Sequence, residues 1–320
     1  MKKLAVGIDI GGTNTKYGIA DREGNVYYNS RISTTGHKDF ETYFDFLCSE
    51  IKKALESLTF QYELVGLGVG APNGNFYTGT IENAPNLPWK VKIPLSKLLY
   101  EKFNVRSIVT NDANAAAIGE MVYGGAKGMR DFIVITLGTG LGSGIVANGE
   151  LINGHDGYAG ELGHVNVKVN GRLCGCGKRG CLETYVSATG INRTVFKLLA
   201  DELAPSSLRG ISFNDLSTKM ISDAAAKEDK IAIKAFEYTG KILGRKLADT
   251  IVHTSPEAIF IFGGLANARE LIFEPTIRHM EANLMSFYQN KVKILPSKLG
   301  DETAPILGAS SLIWNDLQEK

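Results

Sequence analysis

The sequence predicts an α/β protein made of two similar halves. Each half opens with short apolar strands joined at glycine turns and continues with segments whose apolar residues recur at helical spacing. At 320 residues, the chain is long enough for two domains with separate cores. We therefore expect a duplicated architecture around a cleft, with a smaller N-terminal α/β domain at 1–115 plus 300–320 and a larger α/β domain at 116–299.

The first half begins with three predicted strands, at 3–10, 15–21 and 25–32, which are joined at glycine turns. They are followed by a helix with apolar side chains every three or four residues, by two buried strands and by a second helix, predicted at 39–58, 64–70, 106–110 and 112–123.

The second half also begins with strands, in a predicted hairpin at 131–137 and 143–148. Three helices come next, predicted near 188–202, 212–227 and 229–253. The remaining elements are a strand, a helix, a strand and a closing helix, predicted at 257–262, from about 267, at 291–295 and at 304–318.

The composition excludes several classes of function. The net charge is +1, so no electrostatic argument favours binding to nucleic acid or to an anionic membrane. Asp9 interrupts the apolar N-terminal run, which favours a buried strand over an export signal, and no run of 18 apolar residues occurs. Cysteines without a disulfide pattern then predict a cytoplasmic protein.

Three of the four cysteines, Cys174, Cys176 and Cys181, fall within eight residues, and His164 lies ten residues upstream. Three thiolates and an imidazole complete a tetrahedral zinc shell, and a closed shell of this kind is structural rather than catalytic. Two acids, Glu161 and Glu183, flank the cluster, so we expect zinc to hold them in place. The alternative is a surface loop of reduced thiols.

Three glycine-rich turns indicate a nucleotide site, two of them for phosphate groups and the third, after a strand and before a helix, for a flat adenosine. Glycine lets backbone amides approach phosphate oxygens closely, and a carboxylate at the end of a strand could hold magnesium through water. The turns comprise Asp9, Gly11, Gly12, Thr13 and Asn14, with Lys16 beyond; Gly138, Thr139 and Gly140; and Gly263 and Gly264. Each turn alone is explained equally well by a tight hairpin, and no GxxxxGK[ST] motif occurs.

The order of these motifs along the chain resembles the order in the ROK family of sugar kinases and repressors. Within this family, the chain is most similar to the bacterial ATP-dependent glucokinases. The resemblance covers essentially the whole chain and rests on DIGGTNTK at 9–16, ENAPNLPW at 82–89, NDANAAAIGEM at 111–121, VITLGTGLGSGIVANGE at 134–150, GELGH at 160–164, CGCGKRGCLE at 174–183 and FGGLA at 262–266. It implies an actin-like ATPase fold, which is a duplicated ribonuclease-H-like fold with two domains around a cleft.

The resemblance also implies roles for individual residues. Asp112 matches the catalytic aspartate, which would accept the proton of a sugar hydroxyl. The alternative is that Asp112 only caps the following helix. Asn111, Glu161, His164 and Glu183 match the sugar-binding residues, and His164 could bind zinc through one ring nitrogen and the sugar through the other.

The chain departs from the family pattern at Asn73, where the family usually has glycine in a turn near the sugar. Asparagine tolerates the left-handed conformation, so either the turn is kept or the side chain changes the contacts to the sugar. This departure affects the identity of the sugar and not the class of reaction.

The resemblance implies phosphoryl transfer from ATP with Mg²⁺ to the 6-hydroxyl of glucose, a structural zinc ion, and a homodimer or homotetramer. Kinases of N-acetylmannosamine, N-acetylglucosamine or fructose are alternatives within the class. A non-catalytic sugar-responsive regulator is the alternative of another class. We expect the kinase for two reasons. The first strand begins by residue 4, which leaves no room for the N-terminal helix-turn-helix domain that ROK repressors carry, and Asp112 and the Gly11-Gly12 turn are present.

Overall fold

The computed structural model of the chain describes residues 1–300 and 302–317. The chain divides into two compact units. The first contains Met1–Met129, Gly144–Gly160 and the described residues from Ser297 onward, and the second contains Arg130–Ser143 and Glu161–Pro296. The domain limits expected from the sequence, and the cleft, stay predictions.

The first unit is built on a five-stranded sheet. Its strands are β1 (Lys2–Ile10), β2 (Asn14–Ala20), β3 (Val26–Ser33), β4 (Tyr62–Gly70) and β8 (Ser107–Thr110). Their order in the sheet is β3-β2-β1-β4-β8; β1, β2 and β3 are antiparallel neighbours, whereas β1, β4 and β8 are parallel. A small antiparallel sheet holds β5 (Gly74–Asn75), β6 (Thr80–Glu82) and β7 (Lys92–Ile93).

Both faces of the large sheet are covered. The helices of this unit are α1 (Phe40–Glu56), α2 (Leu95–Phe103), α3 (Asp112–Val122) and α8 (Ala304–Asp316). The apolar residues of one face pack against α1, and those of the other face pack against α3 and α8. Glycines on the sheet let α8 lie directly against the backbone, because a Cβ at Gly68 would lie 1.8 Å from the carbonyl oxygen of Ala309.

The second five-stranded sheet has the order β11-β10-β9-β12-β13, which repeats the order of the first. Its strands are β9 (Phe132–Leu137), β10 (Leu141–Ala147), β11 (Glu150–Leu151), β12 (Ala258–Phe262) and β13 (Lys293–Pro296), of which β9, β12 and β13 are parallel neighbours. The helices of the second unit are α4 (Ala188–Asp201), α5 (Thr218–Ala225), α6 (Lys230–Thr254) and α7 (Glu270–Glu281). The repeated strand order confirms the predicted duplication.

Most predicted elements are confirmed to within a few residues. The helix predicted at 212–227 is shorter, because the side chain of Ser217 accepts a hydrogen bond from the amide of Met220 and so starts α5 at Thr218. The helix expected from 267 is a 3-10 turn at Ala266–Ala268 followed by α7. The closing helix is α8; residue 318 of its predicted range lies outside the described residues.

The sequence did not predict α2 or the small sheet of β5, β6 and β7. In the described part of the chain, no helix is both long and apolar enough to span a bilayer.

Candidate active site

The parallel strands of the first sheet end side by side, and two acidic residues lie at these ends. Asp9 of β1 pairs with Gly70 of β4, and Gly70 pairs with Thr110 of β8, which Asn111 and Asp112 follow. A Cβ at Gly70 would lie 3.3 Å from the Cα of Asp112 and 3.7 Å from Oδ1 of Asp9. The missing side chain of Gly70 therefore leaves the two acids as neighbours in one small space.

The helix cap at this point is Asn111, not Asp112. Oδ1 of Asn111 accepts a hydrogen bond of 2.8 Å from the amide of Ala113, and α3 begins at Asp112. Oδ1 of Asp112 accepts from the same amide at 2.8 Å. Because Asn111 already caps the helix, capping alone does not account for an aspartate at 112.

The electrostatics of the two acids are unusual. Burial, and then the charge of Asp112, raise the pKa of Asp9 to about 7, against the opposing effect of Lys16. Burial also raises the pKa of Asp112, against the stabilising hydrogen bond from Ala113. Asp112 is exposed by surface area, so a substrate can reach it, while the surrounding protein still reduces its hydration. Two neighbouring acids with raised pKa values fit a site for a divalent cation bound through water.

The first glycine turn lies between β1 and β2, beside these acids. The amide of Gly11 donates to the carbonyl oxygen of Asn14 at 3.0 Å, which closes the turn. A Cβ at Gly12 would lie 2.5 Å from the carbonyl oxygen of Asn86, so the position has room only for glycine. Thr13 and Asn14 are exposed, so their side chains are accessible to a ligand.

Asn73 keeps the turn that glycine makes in the family pattern. Its φ is 52°, in the left-handed region. Its side-chain nitrogen donates to the carbonyl oxygen of Glu82 at 3.0 Å, so the amide group ties the turn to β6. The sequence left open whether the turn is kept or whether the side chain changes the contacts to the sugar. This geometry favours the first alternative, in which the turn is kept.

In the second unit, the three cysteines and His164 come together. Their potential ligand atoms all lie within 4.8 Å of one another. Nδ1 of His164 lies 3.6 Å from Sγ of Cys174, and Sγ of Cys176 lies 3.7 Å from Sγ of Cys181. Tetrahedral zinc with Zn–S bonds of about 2.3 Å requires sulfur atoms about 3.8 Å apart. The donors thus have the identity and the spacing that zinc requires.

Glu161 and Glu183 lie on either side of the His164 ring. Nδ1, the nitrogen that faces the cysteines, is 3.8 Å from Oε1 of Glu183, and Nε2 is 4.0 Å from Oε2 of Glu161. The residues belong to two 3-10 turns, Leu162–His164 and Leu182–Thr184, which begin just after Glu161 and Cys181. Nδ1 therefore faces both the cysteines and Glu183, while Nε2 faces Glu161.

The other two glycine turns also belong to the second unit. A Cβ at Gly140 would lie 2.6 Å from Oε2 of Glu183, whereas a Cβ at Gly138 would meet open space. Gly263 has a φ of 102°, and its Cβ would lie 2.7 Å from the carbonyl oxygen of Leu137, at the end of β9. The turn at 138–140 is thereby placed beside both Glu183 and the turn at 263–264.

Sequence reasoning missed Arg172, which holds the loop at 171–181. This loop carries the three cysteines, and we call it the zinc loop because its ligands would bind that metal. Its guanidinium donates to the carbonyl oxygens of Thr184 at 2.8 Å and Gly190 at 2.9 Å, and it lies 4.5 Å from the ring centre of Tyr185. Arginine in a glycine-rich loop has the signature of a solvated surface residue, so no local signal could have identified it.

The fold and these features define a protein of the actin-like ATPase class, with a cluster of three cysteines and one histidine that fits a structural zinc ion. The chain belongs to the ROK family, whose family model matches residues 5–316. It is 33% identical to the glucokinase of Streptomyces coelicolor over 316 residues, which cover 97% of each chain.

Two further relatives show the range of the family. A crystal structure of a ROK family glucokinase from Streptomyces griseus, in complex with glucose and AMPPNP, is 33% identical with a TM-score of 0.81, and the match covers 97% of this chain and 98% of that one. The xylose repressor of Caldicellulosiruptor bescii is 28% identical over 319 residues, which cover 98% of this chain and 78% of the repressor. The family therefore includes both kinases and repressors.

Proposed function

We propose that this chain is an ATP-dependent glucokinase, which transfers the γ-phosphoryl group of ATP to the 6-hydroxyl of glucose. The observation that carries the proposal is the placement of Asp112 at the ends of three parallel strands, beside Asp9 and exposed to a substrate. The 33% identity to glucokinases over nearly the full length supports it.

In the proposed reaction, Asp112 accepts the proton of the 6-hydroxyl. As this proton leaves, the oxygen bonds to the γ-phosphorus and the bond from that phosphorus to the oxygen of ADP breaks. A carboxylate is a stronger base when its pKa is raised, and burial raises the pKa of Asp112. The hydrogen bond from Ala113 to Oδ1 fixes the orientation of the carboxylate.

The nucleotide would be held by the three glycine turns. Backbone amides at Gly12 and Thr13 would bind phosphate oxygens, while the amide of Gly11 closes the turn on Asn14. The turn at 138–140 would also bind phosphate oxygens, and the turn at 263–264 would lie against the adenosine. Magnesium, when bound, neutralises charge on the phosphates, and Asp9 is placed to hold it through water. Lys16 is a partly exposed residue of β2 whose charge opposes the raised pKa of Asp9.

The residues that we propose as sugar ligands are Asn111, Glu161, His164 and Glu183. Carboxylates and an imidazole can bond adjacent hydroxyl groups of one sugar ring. His164 would bind zinc through Nδ1, which leaves the proton on Nε2 to be donated to the sugar. The role of zinc is therefore to orient His164 and the Glu183 turn.

The decisive experiment measures ADP release from MgATP with glucose, N-acetylmannosamine, N-acetylglucosamine, mannose and fructose. Turnover with glucose in clear preference to the others supports the proposal. Preference for an acetamido sugar or fructose keeps the chemistry and replaces the substrate.

A sugar-responsive regulator is the second candidate, and the 28% identity to a xylose repressor favours it. Sugar binding without turnover of any sugar would establish this candidate and overturn the kinase. The cytoplasmic location, the absence of nucleic-acid and membrane partners, and the homodimer or homotetramer stay predictions.

A further inference from the structure

The segment that leads into Glu161 is a closed loop with two glycines in the left-handed region. The amide of Ala159 donates to the carbonyl oxygen of Asn153 at 3.0 Å, which closes the loop on itself. Gly154 and Gly157 have φ values of 76° and 88°, so the path of the loop requires glycine at both positions. We call residues 153–160 the entry loop, because Glu161 follows it directly.

The entry loop is fixed to the hairpin of β5 and β6 at two points. The side-chain nitrogen of Asn75, which is 3% exposed, donates to the carbonyl oxygen of Asp156 at 2.7 Å. The hydroxyl of Tyr158 donates to Oε2 of Glu82 at 2.7 Å. Gly157 lies between these points. A Cβ there would lie 2.9 Å from the side-chain amide of Asn75, so the position has room only for glycine.

Glu82 is held more firmly than an ordinary surface acid. Its Oε1 accepts from Thr80 at 2.8 Å and pairs with Lys92 at 2.9 Å. Lys92 first, and then Tyr158 and Thr80, lower the pKa of Glu82 to about 2, so the carboxylate stays charged at any working pH.

The backbone of Glu82 is joined to Asn73 in both directions. The amide of Glu82 donates to the carbonyl oxygen of Asn73 at 3.2 Å, and the side-chain nitrogen of Asn73 donates to the carbonyl oxygen of Glu82 at 3.0 Å. Glu82 therefore forms hydrogen bonds with the Asn73 turn through its backbone and with the entry loop through its side chain.

We infer that Glu82 and Tyr158 are positioning residues for the sugar subsite. Their hydrogen bond sets the entry loop, and with it the backbone that leads into Glu161, relative to the Asn73 turn. This inference rests on the proposed function, in which Glu161 binds the sugar. It assigns a role to residues outside the nucleotide site and outside the zinc loop.

The test compares Tyr158→Phe and Glu82→Gln with the wild-type protein in steady-state kinetics. We expect KM for glucose to rise about three- to tenfold in each variant, while KM for ATP stays within twofold, because the pair joins the entry loop to β6. We also expect the double variant to show less than the sum of the two single effects, since both substitutions weaken the bond from Tyr158 to Glu82, although Glu82→Gln also weakens the pair with Lys92.

A matched control is Tyr77→Phe, because Tyr77 lies on the same hairpin and is 59% exposed. It should leave both KM values unchanged. Glucose affinity measured by calorimetry without nucleotide should fall in Tyr158→Phe by the same factor as KM rises, with zinc content unchanged.

Two results overturn the inference: a glucose KM within twofold of wild type in both variants, or an equal rise in KM for ATP, which indicates general loosening of the fold. Failure of the proposed function gives a different pattern, because the wild-type protein itself would then phosphorylate no hexose.

Discussion

The candidate functional residues fall into two parts, one in each unit, which are held in different ways. In the first unit, Asp9 and Asp112 lie at the ends of regular strands and at the start of a helix, in a register fixed by the sheet. In the second unit, Glu161, His164 and Glu183 lie on short 3-10 turns beside four potential zinc ligands. The proposed reacting group is thus placed by the core, and the proposed sugar ligands are placed by a loop that zinc would fix.

This difference separates two kinds of failure. Damage to the first part should reduce the rate of the chemical step and spare sugar binding. Damage to the second part should weaken sugar binding first, since the loop has little regular structure to hold its shape without a metal.

The largest expected effect is that of Asp112→Asn. Asparagine keeps an oxygen to accept from Ala113 but cannot take the proton of a hydroxyl, so kcat should fall by about 10³-fold while KM for glucose changes by less than about threefold. Rapid-quench or coupled ADP assays measure this. Asp201→Asn, on the exposed end of α4, serves as the control with full activity. Near-normal kcat in Asp112→Asn would remove Asp112 from the role of base.

The next effect tests the metal loop through Cys176→Ser. Loss of one of four ligands should lower zinc content and raise KM for glucose about 10- to 100-fold, with a smaller change in kcat. Metal analysis and kinetics on the same preparation measure both quantities. The control is Cys48→Ala, since Cys48 is a buried residue of α1, and it should keep its zinc. Zinc loss with unchanged kinetics would show that the loop does not orient the sugar ligands.

A moderate effect is expected from a single methyl group at Gly140. In Gly140→Ala the new Cβ would lie 2.6 Å from Oε2 of Glu183, so this carboxylate must move, and KM for glucose should rise about fivefold. Gly138→Ala is a matched control on the same turn, because its Cβ meets open space. Equal effects of the two substitutions would mean that the turn, and not the position of Glu183, sets sugar affinity.

The smallest effect concerns the pH dependence of stability. The pKa of Asp9 is raised from 3.8 to about 7 in the folded chain. Its contribution to stability is therefore fully present below pH 3.8 and is lost as the pH rises through about 7. In the absence of ligands, the unfolding temperature of Asp9→Asn should be a few degrees above that of the wild-type protein at pH 8. At pH 4 the two proteins should have the same unfolding temperature. Calorimetry measures both. A pH-independent difference would refute the assigned cause.

Local signals made much of this molecule predictable from its sequence. The strands of the first sheet, the acidic start of α3 and the spacing of the cysteines are patterns of neighbouring residues, and the structure has them where they were expected. The strand order of both sheets also agrees with the predicted duplication.

The features that were missed depend on contacts distant in sequence. The bond from Tyr158 to Glu82 joins residues 76 positions apart, and Arg172 holds the zinc loop through backbone oxygens of later residues. The strands β5 and β7 have two residues each, too few to show any periodicity. Such contacts have no signature in a single sequence.

The packing of α8 has a consequence for the order in which the chain can fold during synthesis. Strands near the N-terminus, β1 and β4, have on one face glycines that meet the backbone of α8 directly, and α8 lies at the other end of the chain. At about 5–20 residues per second, a ribosome needs roughly 15–60 s to reach α8 after β1 has emerged. During that interval one face of the first sheet has α3 but lacks α8, so the first unit to be made is the last to be completed.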